Sequence, residues 1–319
     1  MSVSLERARQ FLRIADSLFT AARRADGLIQ AKAAANALAE AVAEAPGAQD
    51  AWRLLSIACW HLGRHASAAR AAGRQGVPER LPARSVIIPV LERHENSAHS
   101  IDGLLEDLAR FDGEVIIVFN DRGVFEALKA HPRIDKWAAL SANAGVARAW
   151  NIGINLAEGE CLFVLNDDLR IDVAVLNSLE AAFASLPKAA AIGIEGETID
   201  PSTFGVVAKY PLGQFGDPIA VDKLSGYCFV IHAKRWHDFG IAFDPRLSPF
   251  FYEELDIMLK ARDAGLEIYA VPVDSSKLSH GVGISRRDRP ILYFGRPVDR
   301  ARVLAENAAR IQSRWLRRH

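Results

Sequence analysis

Leu162-Phe163-Val164-Leu165-Asn166-Asp167-Asp168 is an apolar run that stops on one amide and two carboxylates. Large apolar residues in succession spell a strand buried on both faces, as a parallel sheet requires. Oxygen donors on such a rigid edge suit a hard divalent cation, Mg²⁺ or Mn²⁺, which in turn neutralises a diphosphate. The same letters also spell a strand followed by a polar turn, because Asn and Asp are favoured turn residues. The surrounding sequence has to separate the two readings.

Just upstream, Asn143-Ala144-Gly145-Val146-Ala147-Arg148-Ala149-Trp150-Asn151-Ile152-Gly153 carries small residues at helical intervals. A helix of this kind approaches a sheet or ligand closely. Its N-terminal amides and Arg148 suit phosphate, and Asn151 offers both a donor and an acceptor. Taken alone, the segment reads rather as a tightly packed Ala/Gly helix.

Further out, apolar β-rich runs alternate with helical segments. Strands are expected at 85–90, 114–119, 161–165, 191–194, 228–231 and 268–273, and helices at 101–110, 145–157 and 173–184. This alternation indicates an α/β domain with a mostly parallel sheet. Ligands of open α/β sheets sit beyond the carboxyl ends of the strands. Glu92, Asn120-Asp121 and Asn166-Asp167-Asp168 fall at three such ends.

Ser85-Val86-Ile87-Ile88-Pro89-Val90, the 143–153 segment and Leu165-Asn166-Asp167-Asp168 come in the order seen in family 2 glycosyltransferases with the GT-A fold. The resemblance continues through Ser225-Gly226-Tyr227-Cys228, Phe243-Asp244-Pro245 and Tyr252-Glu253-Glu254-Leu255-Asp256. It ends with Leu259 to Gly265 and Ser279-His280-Gly281-Val282-Gly283, and is similar to the rhamnosyltransferase-like branch in its Asn-x-Asp element. It implies a GT-A nucleotide-diphospho-sugar transferase domain over 84–290, preceded by an all-α domain.

What the resemblance implies chemically is inverting transfer of a sugar from a UDP-, dTDP- or GDP-sugar to a hydroxyl acceptor. That acceptor would be a saccharide, a lipid-linked saccharide or a protein. Asp168 matches the metal-ligating position, with Mn²⁺ or Mg²⁺ as cofactor, and His280 stands where the family often completes that site. Asn166 replaces a frequent Asp and removes one negative charge. The donor-binding set comprises Pro89, Glu92, Asn120, Asn143, Gly145, Arg148, Asn151, Asn166, Asp167, Gly226, Arg286 and Arg287. Asn120 stands where the family usually has an Asp near the base or ribose, and its amide can donate and accept on a pyrimidine edge. Arg286 and Arg287 either clamp the leaving diphosphate or form a solvated basic turn.

Glu253, Glu254 and Asp256 open a helix, where acids complement the dipole for about 0.3–1 kcal/mol each. Inverting transfer also needs a base to take the acceptor proton. Glu254 matches the family's catalytic Asp, with Glu253 as second candidate and Asp256 completing the cluster. The extra methylene of Glu alters the reach to the acceptor.

Residues 1–80 are rich in Ala, Leu and Arg and read as helical. Ala51-Trp52, Leu55, Cys59, Gly63-Arg64 and Ala68 resemble one tetratricopeptide unit, although a solenoid needs three or more, and a short helical bundle fits equally. Residues 291–319 form an amphipathic helical extension with Leu304, Ala308, Ile311 and Trp315 on one face. Packing on a neighbouring domain is favoured for it over an anionic membrane surface.

The 319 residues hold 39 Lys and Arg against 39 Asp and Glu. No excess of charge draws this chain to nucleic acid. Cys59, Cys161 and Cys228 are widely spaced, as reduced thiols are. With no leader-like or spanning segment, a cytoplasmic protein is expected, with a peripheral position on the inner face of a membrane or a protein partner engaged through the helical regions. Two other functions compete: a helical scaffold carrying a degenerate sugar-nucleotide site, which Asn166 and Phe119 favour, and a sugar-phosphate nucleotidyltransferase. The latter wants a Gly-rich loop after the first strand, and Leu91 to Asn96 contains no Gly.

Overall fold

The computed structural model describes residues 3–20, 23–45, 48–62, 84–94, 97–281 and 290–315. The chain forms two compact units, Met1–Leu81 with His237–Gly240, and Pro82–Trp236 with Ile241–His319.

In the first unit, helices Val3–Thr20, Arg24–Glu44 and Gln49–His61 pack through Leu5, Ala8, Leu12, Ala34, Leu38, Ala41, Leu54 and Ala58. Fully buried alanines let the helix axes come close. Ala51 and Cys59 are buried within the third helix. Gly63, Arg64 and Ala68, which would supply the partner helix of a tetratricopeptide unit, lie outside the described residues.

The second unit is built on strands β1 (Arg84–Val90), β2 (Glu114–Phe119), β3 (Lys136–Ala139), β4 (Cys161–Leu165), β5 (Leu169–Ile171), β6 (Ala189–Gly193), β7 (Gly196–Ile199) and β8 (Val206–Tyr210). There follow β9 (Ile219–Ala220), β10 (Lys223–Leu224), β11 (Cys228–His232), β12 (Glu267–Ala270), β13 (Leu278–His280), β14 (Leu292–Tyr293) and β15 (Arg296–Pro297). The main sheet runs β3-β2-β1-β4-β11-β6-β12-β9. Its neighbours are parallel except around β11 and at the β12–β9 pair.

Side-chain alternation along these strands feeds two cores. Val86, Ile88, Val115, Ile117, Phe163 and Leu165 point to one face, under the helices containing Leu104 and Leu176. Ile87, Ile116, Leu162 and Val164 point to the other, under Trp150, Trp236, Ile257 and Met258. Helix Val146–Leu156 lies so close to the sheet that a β-carbon at Gly153 would stand 2.2 Å from Ile87 Cγ2. Its small residues therefore serve packing, one of the two readings the sequence left open.

β3, β5 and the short β7, β8, β9, β10, β13, β14 and β15 lie outside the expected strands. β3 alternates between half-buried and exposed positions and lies at the sheet edge, so it has no apolar run to betray it. Helix Arg300–Trp315 buries Asn307, Ile311 and Trp315, while Leu304 is 44% exposed and leaves the expected face. Ile311 and Trp315 pack with Leu247 and Leu255 of the same unit. Among the described residues, no helix is long and apolar enough to cross a membrane.

Candidate functional site

Parallel order sends the ends of β1, β2, β4 and β6 to one edge of the sheet. β11 runs the other way, so the residues before it, Ser225 to Tyr227, reach the same edge. The strand order reverses between β1 and β4, the kind of crevice where open sheets bind ligands. A cavity of about 520 Å³ opens there. Pro89, Asn120, Asn143, Asn166, Asp167, Asp168, Gly226, Glu253, Glu254 and His280 all line it.

Asp168 is 1% exposed. Its Oδ1 lies 3.1 Å from His280 Nε2, whereas Oδ2 is buried without a hydrogen-bond partner. Burial would raise this carboxyl, but the hydrogen bond and charge of His280, with the charge of His94, outweigh it and hold it below the ordinary Asp value. The His280 ring stacks on Tyr227 at 4.2 Å and 9°, which fixes its plane. Gly281 lies against the same carboxylate, where a β-carbon would come 3.0 Å from Oδ2. Asp167 is also buried and accepts from the Leu91 amide at 3.4 Å, tying β4 to the chain after β1.

At the same cavity, helix Glu253–Asp263 begins after two non-glycine residues with positive φ, Phe251 at 78° and Tyr252 at 72°. Backbone in that region is held only where its surroundings determine it. Glu253 is 3% exposed and its Oε2 has no hydrogen-bond partner. Burial, and then the charge of Glu254, raise its carboxyl well above the ordinary range. Burial raises Glu254 as well, opposed by the charge of Lys223. Glu253 is buried and Glu254 half-buried, and two adjacent carboxyls so enclosed do not hold two charges cheaply, which favours retention of a proton on the pair.

Other expected residues have partners elsewhere. Asp256 faces away from the cavity and pairs with Lys260 at 2.8 Å, with Arg314 and with Trp315 Nε1. Arg148 donates to Ala144 O and to the Tyr293 hydroxyl, and its guanidinium lies over Phe294. Asn151 holds the Phe243 backbone through both its amide atoms. The Val146 amide, at the helix start, donates to Pro249 O. At Gly145, with φ 85°, a β-carbon would strike Ser248. Asn120 Oδ1 accepts from the Ala144 amide, and Asp121 caps helix Arg122–Leu128. Glu92 pairs with His94 at 3.4 Å and is not part of the cavity wall. Arg286 and Arg287 lie outside the described residues.

The cavity also takes Glu195, Lys223, Phe250, Phe251 and Ile291, none of which was expected. Glu195 accepts from Ser225 Oγ at 2.5 Å. It follows β6 as Asp167 follows β4, so the strand-end rule, extended to 191–194, would have found it.

Residues 85–226, under half of the chain, match the family model described as Glycosyl transferase family 2. No curated protein sequence matches the chain. Among solved structures, GalNAc-T7 with UDP, GalNAc and Mn2+ is similar at 16% identity and a TM-score of 0.52, over 74% of this chain and 48% of that one. S. aureus TarS in complex with UDP is similar at 19% identity and a TM-score of 0.46, over 72% of each chain. The second unit has the GT-A fold. The likeness to GalNAc-T7 thus spans about half the length of that protein.

Within the GT-A unit, one orphaned oxygen of Asp168 beside His280 fits a divalent cation only in part. Among the described residues, no group of three or more His, Cys, Asp and Glu side chains is arranged to hold a metal. Two protein donors suffice where ligand phosphates and water fill the other positions, as is usual for Mg²⁺.

Proposed function

We propose that the GT-A unit transfers a sugar, with inversion, from a nucleotide-diphosphate donor to a hydroxyl acceptor in the 520 Å³ cavity. The observation that carries this reading is the convergence of two kinds of group on one cavity. Asp168, with an orphaned buried oxygen, and the neighbouring carboxyls of Glu253 and Glu254 all line it.

Asp168 and His280 hold Mn²⁺ or Mg²⁺ in this proposal, and the ion, when bound, offsets the charge that grows on a departing nucleoside diphosphate. Asn166 and Asp167 border the same wall, and Asn120 and Pro89 line the nucleotide end. Glu254 is the base. Its raised carboxyl affinity matches a general base better near neutral pH than that of an ordinary Glu. It takes the proton from the acceptor hydroxyl as that oxygen attacks the anomeric carbon. Glu253 keeps its own proton, which spares the cavity a second charge beside the base. The donor is a UDP-, dTDP- or GDP-sugar, and the acceptor a saccharide, a lipid-linked saccharide or a protein.

The test is a panel of these nucleotide-sugars, scored by thermal stabilisation with and without Mn²⁺, since a ligand that binds only the native state raises its melting temperature. A nucleotide-sugar that stabilises more with Mn²⁺ than without is expected. A panel without a single shift would remove the proposal.

A further inference from the structure

The cavity wall from Ser248 to Tyr252 is an irregular segment, yet two of its residues hold positive φ and four of them, Pro249 to Tyr252, line the site in succession. Ser248 N, Pro249 O and Tyr252 O bond to Pro245 O and to the Val146 and Asp256 amides, but an irregular segment has no repeating ladder to serve the carbonyls of Phe250 and Phe251, so something else must hold them. Asn307 does. This side chain is 1% exposed on helix Arg300–Trp315. Its Nδ2 donates to Leu247 O at 2.7 Å, Phe250 O at 3.0 Å and Phe251 O at 3.1 Å.

One amide group with two hydrogens thus gathers three carbonyls around the two strained residues. Other residues of the helix reinforce it. Arg310 donates to Arg246 O at 2.7 Å and to Asn307 Oδ1 at 3.2 Å, and Arg314 binds Asp244 and Asp256 on either side of the segment. Asn307, Arg310 and Arg314 are spaced as one helical face. The buried face of this helix carries the polar Asn307 beside Ile311 and Trp315, and burial of such a residue is costly unless it is bonded.

We infer that Asn307 is a positioning residue, which fixes the Leu247–Tyr252 segment and thereby the direction in which Glu253 and Glu254 leave it. The inference rests on the transfer reading for its catalytic half only. It assigns the C-terminal helix a part in building the site, and Asn307 itself touches no ligand.

The test compares the intact chain with N307D, which keeps the size but turns the donors into acceptors facing three carbonyls, and with N307L, which removes both. L304A, on the exposed side of the same helix, is the control. Hydrogen exchange is followed over 248–255 and over β4. Both Asn307 variants are expected to exchange on the order of ten-fold faster over 248–255, with β4 unchanged. In turnover with the donor that the panel identifies, kcat falls on the order of 10²-fold while the donor KM moves less than about three-fold, because orientation rather than binding is lost. Unchanged exchange over 248–255, equal acceleration in β4, or loss confined to KM would each overturn the inference. If the unaltered chain turns over no donor, the transfer reading fails, and the exchange result still decides whether Asn307 holds the segment.

Discussion

A β-carbon on Gly226 would stand 2.0 Å from Oε1 of Glu254. The absence of a side chain before β11 is therefore what lets this carboxylate lie against the strand and face the cavity. Two motifs, Ser225 to Cys228 and Tyr252 to Asp256, meet where Gly226 and Glu254, 28 residues apart in the sequence, come together.

Gly226→Ala is expected to displace the Glu254 carboxylate rather than the strand, because the far end of a flexible side chain yields first. Transfer should fall on the order of 10²-fold, the usual cost of a misplacement near 1 Å. The melting temperature should hold within a few degrees. A large loss of stability with normal turnover per folded molecule would show that Gly226 serves packing alone.

Glu254→Gln keeps the shape and removes the proposed base. Turnover is expected to drop by about 10²–10⁴-fold, with donor binding intact. Glu253→Gln should cost far less, since it imitates the protonated form that the buried pair already favours. Equal losses in the two variants, measured as kcat at saturating donor, would refute the division of roles between them.

Much of this arrangement was legible in the sequence, and the reason is physical. Runs apolar on both faces admit only buried strands, so β1, β2 and β4 and the residues at their ends could be read directly. Lys223 escaped notice because it sits on a two-residue strand without periodicity, and Phe250 because it lies on a segment with none. Arg148, Asn151 and Asp256 look like site residues by type. Only the tertiary structure shows that Tyr293, Phe243 and Arg314 engage them. Asn307 carried no signal at all, because a buried amide is unmarked until the three carbonyls it serves are seen.

The raised Glu253 carboxyl fixes the sign of a pH effect on stability. The folded state binds this proton more tightly than the unfolded chain, so the stabilisation is complete below the ordinary Glu range and is lost as pH rises through the raised value. Thermal stability of the unaltered chain should fall toward alkaline pH, and Glu253→Gln should flatten that fall. Parallel profiles for the two proteins would contradict the retained proton.

Asp168→Ala removes the orphaned oxygen and the partner of His280 together. Mn²⁺ alone, followed by calorimetric titration in the presence of UDP, should lose at least about ten-fold in affinity, the scale on which ligand-shell changes act. His280→Ala is expected to weaken it less, since a carboxylate is the better partner for a hard cation. Unchanged Mn²⁺ affinity in Asp168→Ala would place the ion elsewhere.

Arg314 links two buried carboxylates, Asp244 and Asp256, to the C-terminal helix. Asp256 is fully buried and, among the described residues, keeps Lys260 as a salt-bridge partner once Arg314 is gone. Asp244 retains Arg246. Arg314→Met therefore leaves neither carboxylate bare, and its cost falls at the low end for a broken buried pair, about 3 kcal/mol. For a unit of this size that corresponds to a fall in melting temperature of roughly 6–12 °C. Asp256→Asn, with Arg314 intact, should cost less, because an amide still accepts from Arg314 and Trp315 while the buried charge disappears. If Arg314→Met melts within about 2 °C of the unaltered chain, the helix is held by Asn307, Ile311 and Trp315, and the ion pairs contribute little to its docking.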